Sequence, residues 1–243
     1  VSSIVPVTLD SRTRKVYDQM RKNALVEMEG KDDKGNPIQG RALARIVLTT
    51  LLRLQQLSGG FLPFSMFPIQ NDAKGNPLPT QIKTVDIGDD KLRTAVDLTQ
   101  DAIASGEKVV IFCRFIHDIK RLKAALPKAG ILSGSVPPRQ RGEVLERLRS
   151  GQTKVLLVQI ATGSLGIDLT AASVSIFYST GFSLGEFEQA RARVHRHGQT
   201  KKVIEYHLQA TKTVDEKIFQ ALNTKQQIAR KVVDLSYAKG LLM

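Results

Sequence analysis

A chain of 243 residues with 42% hydrophobic content holds enough apolar material for a real core, as one large domain or two small ones. Its formal net charge of +13 points to a polyanionic partner, nucleic acid before membrane; residues 1–85 carry 12 Lys and Arg against 7 Asp and Glu, and residues 86–243 carry 24 against 16, so the excess is no tail effect. A single cysteine, Cys113, excludes a disulfide framework and a cysteine metal site, and no apolar run approaches the roughly 20 residues a membrane span needs.

Ile4 to Leu9 reads as a short strand, and Asp10 or Ser11 caps a helix to about Glu29. Lys31 to Pro37 (KDDKGNP) is turn chemistry. A second helix, Arg41 to Leu57, sets Leu43, Ile46, Val47, Leu54 and Leu57 near one side, and Gly59 and Gly60 end it. Residues 62–85, rich in proline and loop residues, read as an inserted loop or hairpin. KGNP occurs at Lys34–Pro37 and at Lys74–Pro77, the same turn solution used twice and too short for an architectural repeat.

From Asp89 helix and strand alternate. A helix runs to about Ser105, followed by a strand at Lys108–Phe112 (KVVIF) that leads into Cys113, which packs as a small hydrophobe. A helix at Asp118–Leu126, a short strand at Gly130–Leu132 and a helix at Pro138–Arg149 come next. Strands Lys154–Val158 and Val174–Tyr178, a helix opened by Ser183, a strand at Val203–Leu208 and a helix from Thr213 to about Val233 complete the order. Fully apolar strands in such alternation imply an α/β fold, a mostly parallel sheet covered by helices on both faces. The expected division is residues 1–85, with a strand, two helices and an insert, and residues 86–243, an α/β lobe ending in a helical extension. His117, His195, His197 and His207 show no metal-ligand spacing, and no signal peptide is visible, so a reducing, cytoplasmic compartment is expected. Val1 stands inside what reads as a strand, as expected of a piece of something longer.

In sheets of this kind ligands sit outside the carboxyl ends of the strands. Three segments leave those ends: Arg114–His117, Gln159–Leu169 (QIATGSLGIDL) and Ser179–Gly185. Gly163 and Gly166 let backbone amides approach a phosphate closely, and Asp168 is an acceptor for a ribose hydroxyl or a partner for an arginine. Ser179–Gly185 feeds the helix within SLGEFEQARARVHRHGQ, Ser183 to Gln199. Ser183 with Glu186 has the form of a capping box, and Gly198 is the expected stop. Leu184, Phe187 and Val194 can be buried, while Gln189, Arg193 and Arg196, at i, i+4 and i+7, share another face. A guanidinium is always charged, and its forked donors suit phosphate oxygens. A solvated basic face satisfies the same spacing. Joined to the glycine-bearing loop, the helix supplies donors and one carboxylate, a combination that suits a nucleotide polyphosphate.

QARARVHRHGQ resembles the last signature motif of the Swi/Snf-type ATPases, the nucleic-acid translocases of helicase superfamily two, where Gln-Ala, an arginine and His-Arg-x-Gly-Gln recur at this spacing. LGIDLTAAS is similar to the preceding motif and KVVIFCRF to the one before that, with LSGSVPPRQR (Leu132–Arg141) between them. The similarity covers about residues 89–225 and extends loosely to Leu51–Pro63. DEAD-box RNA helicases carry an arginine where this chain has Gln199, which favours the Swi/Snf branch.

The resemblance implies a three-layer RecA-like lobe of the P-loop NTPase type, the second of a two-lobed motor, with the helices of residues 10–60 as the protrusion such motors add. It implies that Arg193 and Arg196 reach the triphosphate of ATP held by the first lobe, Arg196 as the finger to the transition state. Gln189 would order the nucleotide-side network, and Gly166 and Asp168 would lie at the ribose and phosphate side of the cleft. Gln159-Ile160 stands where relatives carry Ser-Thr, so hydroxyl contacts to nucleic acid would fall to Thr162 or Ser164. Arg114, Arg139, Arg141, Lys201 and Lys202 are candidates for the phosphate backbone of double-stranded DNA, with a solvated surface charge the competing reading for each.

No G-x-x-x-x-G-K-[ST] occurs in the chain, so ATP and Mg²⁺ are expected on another lobe, and the chain alone is expected to hydrolyse ATP negligibly. Asp215-Glu216 sits in a capping box with Thr213 and is not read as a metal pair. The expected partners are nucleic acid and an N-terminal RecA-like lobe of the same protein, with no membrane. A non-catalytic nucleic-acid-binding module derived from such a lobe, and another superfamily-two motor such as a restriction translocase or an RNA helicase, are the open alternatives.

Overall fold

The computed structural model describes residues 1–28, 40–65 and 82–233. In chain order the elements are β1 (Ser2–Val7), α1 (Ser11–Met28), α2 (Gly40–Ser58), β2 (Phe61–Ser65), β3 (Ile82–Asp86), α3 (Asp90–Ala104), β4 (Val109–Cys113) and α4 (Ile116–Ala125). They continue with β5 (Gly130–Leu132), α5 (Pro138–Arg149), β6 (Val155–Gln159), a 3-10 turn at Ile160–Leu165, β7 (Val174–Phe177), α6 (Leu184–Val194), β8 (Ile204–Ala210) and α7 (Val214–Val233). Two compact units result: Thr8–Lys91, and Val1–Val7 together with Leu92–Met243.

The larger unit is built on six strands in the order β1-β8-β7-β4-β6-β5, every pairing parallel. β4 (VVIFC) and β7 (VSIF) are buried along their whole length, because central strands of a parallel sheet are covered on both sides. Parallel crossovers are right-handed, so connections that step in opposite directions along the sheet lie on opposite faces. On one face Val109, Ile111 and Cys113 of β4 share a core with Ala95 of α3 and with Ile119 and Leu122 of α4. The alternate residues serve the other face. There Phe112 stacks on Phe177 at 4.9 Å between ring centroids, Phe177 on His207 at 4.9 Å, and Phe187 of α6 and Phe219 of α7 close over them.

The strand expected to go with residues 1–85 instead forms one edge of this sheet. Ser2–Val7 pairs in register with Glu205–Ala210, and the Val1 ammonium donates to the Val203 carbonyl at 2.8 Å. Nothing local in the strand marks a partner at the far end of the chain, which is why its sequence neighbours were a poor guide to its place.

In the smaller unit α1 packs on α2 and α2 on β2. Asp10 caps α1, accepting from the Thr13 N–H at 2.8 Å and the Thr13 hydroxyl at 3.0 Å, and these bonds, the backbone one foremost, hold its carboxyl below the usual range. Of the two shapes expected for residues 62–85, the hairpin forms: β2 and β3 pair antiparallel from Phe61↔Asp86 to Ser65↔Ile82. The KDDKGNP turn and the second KGNP copy lie outside the described residues.

Candidate functional site

Helix α6 starts as its sequence predicts. Ser183 is extended (φ −82°, ψ 107°) and its hydroxyl accepts from the Glu186 N–H at 3.3 Å. Phe187, Ala190 and Val194 are buried, while Leu184 is half-exposed. The sequence reading passed over Arg191. Its Nε lies 3.1 Å from both Glu205 carboxylate oxygens and its Nη2 3.0 Å from Oε2, so it ties the helix to the start of β8 through an acid only 3% exposed.

The helix ends at Val194, short of the expected stop, and Arg196 is therefore not on the helical face with Gln189 and Arg193. The cause is tertiary. A helix continues only while its carbonyls wait for donors four residues on. Here the Leu169 N–H donates to the Arg193 carbonyl at 3.0 Å, and the Gln199 amide reaches the Val194 carbonyl at 3.4 Å. Gly198, at φ +100°, serves the following turn, which the Gln199 N–H closes onto the Arg196 carbonyl at 3.0 Å. Gln189 stays exposed on the helix, Arg193 is half-buried, and Arg196 stands exposed on the turn with no described residue in an ion pair with it.

α6 begins beyond the carboxyl end of β7 and runs back, so it delivers its arginines to the opposite edge of the sheet. Gln199 Nε2 donates to the carbonyls of Thr170 at 3.1 Å and Ala172 at 2.8 Å, both just ahead of β7, and Lys201 meets Glu107, just ahead of β4, at 2.7 Å. Asp168 lies at this edge too. It accepts from the Thr170 N–H at 3.0 Å and hydroxyl at 2.8 Å and pairs with Arg149, at the end of α5, at 3.4 Å. The Thr170 backbone bond, more than Arg149, holds its carboxyl below the usual range. Of the two roles expected of Asp168, the arginine partner is filled within the chain, and its side chain is 39% exposed. Gly166, in the left-handed region at φ +64°, ends the 3-10 turn ahead of it.

Arg114 belongs to the carboxyl edge, directly after β4. Burial lowers its pKa, opposed by Glu186, and its guanidinium lies 5.4 Å from the Phe115 ring. Gly181 lets it lie close, since a Cβ there would stand 3.4 Å from Arg114 Nη1. The Arg114 N–H donates to Ser179 Oγ at 2.8 Å, and Ser179 donates to the fully buried Asp118 at 2.6 Å. Arg139 is exposed in the first turn of α5, and Arg141 Nε curls back onto the Val136 carbonyl at 2.9 Å. Gln159 accepts from the Gly134 N–H at 3.2 Å, bridging the ends of β5 and β6.

The sequence-predicted set thus divides. Arg114, Arg139 and Arg141 lie at the carboxyl edge; Asp168, Arg193, Arg196, Lys201 and Lys202 lie at the amino edge. The five residues of β4, at about 3.3 Å each, keep the two edges about 16 Å apart. The helix starts at a strand's carboxyl end, as expected, and its return along the sheet carries its last residues to the other side. Thr162 is 6% exposed, and its hydroxyl donates to the Gln159 carbonyl. The side chain of Ser164 lies outside the described residues. Asp215 and Glu216 cap α7, accepting from the Ala210 and Lys212 N–H groups at 3.2 and 3.0 Å. Among the described residues no His, Cys, Asp and Glu group is placed to hold a metal ion, and no helix is long and apolar enough to cross a membrane.

Residues 90–198 match the family described as the helicase conserved C-terminal domain. The whole chain is similar to an uncharacterized ATP-dependent helicase of Mycoplasma pneumoniae, 26% identical over 248 aligned residues, 99% of this chain and 22% of that protein. The chain therefore spans about a fifth of the length of that curated relative. Its fold matches the C-terminal part of the Fun30 ATPase domain (TM-score 0.67, 20% identity, 91% of this chain and 88% of that one). It also matches the Sulfolobus solfataricus SWI2/SNF2 ATPase core in complex with dsDNA (TM-score 0.69, 20% identity, 96% and 46%). Motif order, sheet topology and domain match agree: residues 90–198 match the helicase conserved C-terminal domain, and the lobe shares its RecA-like fold with the C-terminal parts of SWI2/SNF2 ATPases.

Proposed function

We propose that this chain is the C-terminal motor lobe of a DNA-dependent ATPase of the translocase type, acting on ATP held by an N-terminal lobe of the same protein. The observation that carries the reading is the division of labour among three arginines. Arg191 is bound to Glu205, whereas Arg193 lies in the last turn of the helix and Arg196 stands exposed on a braced turn with no described residue in an ion pair with it. Guanidiniums held this way suit the outer phosphates of a triphosphate. The same edge offers no phosphate-cradling glycine loop, so these residues fit the phosphates of a nucleotide bound elsewhere and do not fit its Mg²⁺. A lobe that presents arginines to a neighbour's ligand has no need to place them at its own carboxyl edge. That edge, with Arg114, Arg139 and Arg141, is left for the phosphate backbone of the duplex.

Arg196 acts as the finger to the transition state, worth about a thousandfold in rate, or roughly 4 kcal/mol of barrier. Arg193 and Gln189 order the nucleotide side, with Gly166 and Asp168 beside them. In the full-length protein, Arg196→Ala is expected to abolish DNA-stimulated ATP turnover while duplex affinity is kept, and Arg193→Ala to lower turnover strongly. Unchanged turnover in both would overturn the reading in favour of a non-catalytic binding module. Stronger stimulation by RNA than by duplex DNA would move the chain to another branch of the superfamily. Alone, the chain is expected to hydrolyse ATP negligibly.

A further inference from the structure

The amino edge holds two side chains whose bonds converge on the turn that carries Arg196. Gln199 uses both ends of its amide: Nε2 donates to the carbonyls of Thr170, Ala172 and Val194, and Oε1 accepts from the Lys201 N–H at 3.0 Å. It therefore joins the loop before β7, the end of α6 and the approach to β8. The donor N–H of Lys201 fixes which way round the amide sits, since only the oxygen can face it. Two residues on, Lys201 Nζ meets Glu107 Oε2 at 2.7 Å, and the Ser173 hydroxyl donates to the same oxygen. Glu107, Ser173 and Lys201 precede β4, β7 and β8, which are neighbours in the sheet, so one carboxylate gathers three strand starts. Lys201 foremost, then Ser173, hold that carboxyl below the usual range.

We propose that Gln199 and the Glu107–Lys201 pair form a two-point clasp that positions Arg196, and that Lys201 serves this turn and not the DNA. The inference rests on the arginine-finger reading above. An exposed guanidinium on a long side chain is useful only if its backbone is held, because a misplacement of about 1 Å costs about a hundredfold in rate. Val194 and Gln199 flank the turn, and the clasp fixes both. The Lys201 and Glu107 side chains are 57% and 29% exposed, so their ion pair adds little to stability, and its contribution is to the register of the turn. Gln199 and Lys201 are positioning residues, acting through Arg196.

The test uses the full-length protein, read by steady-state DNA-stimulated ATP turnover and by duplex binding over a range of salt. Gln199→Leu keeps the size and removes the bonds; kcat should fall about tenfold or more with KM for ATP held within about twofold. Glu107→Lys and Lys201→Glu should each lower kcat, and the double exchange should restore it, with duplex affinity and its salt dependence unchanged throughout. The exchange keeps the proposal testable even if Gln199→Leu folds poorly. A double variant as slow as the singles overturns the clasp, as does a Lys201→Glu protein whose duplex binding weakens with a salt slope lower by about one. Full turnover by Gln199→Leu beside an inactive Arg196→Ala would sink the clasp alone. Full turnover by Arg196→Ala would remove the finger reading on which it stands.

Discussion

Replacing Arg191 with leucine removes the guanidinium and leaves the Glu205 carboxylate, whose side chain is only 4% exposed, without its main partner. Breaking a buried ion pair in this one-sided way costs about 3–5 kcal/mol. Arg191 is itself 26% exposed, so water shares in the pair and about 2–4 kcal/mol is the expected loss. For a chain of this size that lowers the melting temperature by roughly 5–15 °C. Thermal and urea unfolding at pH 7 would measure it, and the double variant Arg191→Leu/Glu205→Leu should recover most of the loss, because both charges leave together. The deficit of the single variant should also shrink as the pH is lowered. His207 Nε2 lies 4.0 Å from Glu205, and Arg191 is one of the groups that depress its pKa. Without Arg191 a proton on His207 becomes easier to hold and compensates the carboxylate. A single variant within about 0.5 kcal/mol of the parent, or a double variant as unstable as the single, would refute the reasoning.

Further outcomes are expected. Burial, more than its neighbours, holds His207 at about 4 against an ordinary 6.5, so its neutral form contributes stability in full above about pH 6.5 and loses it as the pH falls towards 4. The swing is about 3 kcal/mol; His207→Phe, which preserves the ring stack, should flatten the urea stability profile across this range, and an unchanged acid limb would count against it. Gly88→Ala would set a Cβ 2.2 Å from Thr13 Oγ1 and 2.9 Å from Asp10 Oδ2, forcing the α1 cap open at a cost of about 1–3 kcal/mol. Faster amide exchange in the first turn of α1 would show it, and unaltered protection would refute it. Ser179→Ala takes one partner each from the Arg114 N–H and from buried Asp118, at about 1–3 kcal/mol. In the full-length protein it should weaken duplex binding through Arg114 and leave KM for ATP alone; a raised KM would place Arg114 on the nucleotide side instead.

What could be read in the sequence, and what could not, separates local from tertiary causes. The start of α6 was legible because Ser183 and Glu186 carry the cap within four residues. Its end was not, since the donors that halt it, the Leu169 N–H and the Gln199 side chain, come from other segments. A glycine stop was the natural guess, and Gly198 is indeed in the left-handed region, one turn too late. The apolar runs of β4, β6 and β7 announced a parallel sheet. Which edge each charged residue reaches depends on following every helix back along the sheet, and motif spacing is silent on that. Arg191 and Arg193 are two residues apart and look alike as letters; only the acid at Glu205 on a later strand marks Arg191 as the anchor.

The pairing of β1 with β8 has a consequence for how the protein comes into being. Within this lobe β1 leaves the ribosome ahead of its in-register partner, Glu205–Ala210, which follows about 200 residues later. At about 5–20 residues per second the strand waits about 10–40 s. During that time β4, β6 and β7 can assemble the middle of the sheet, but β8 must slot between β7 and β1 before that edge exists. The waiting strand carries Ile4, 53% exposed even in the finished fold. Until β8 is made that edge stays open, and β8, the last of the described strands in the chain, is the one that seals it.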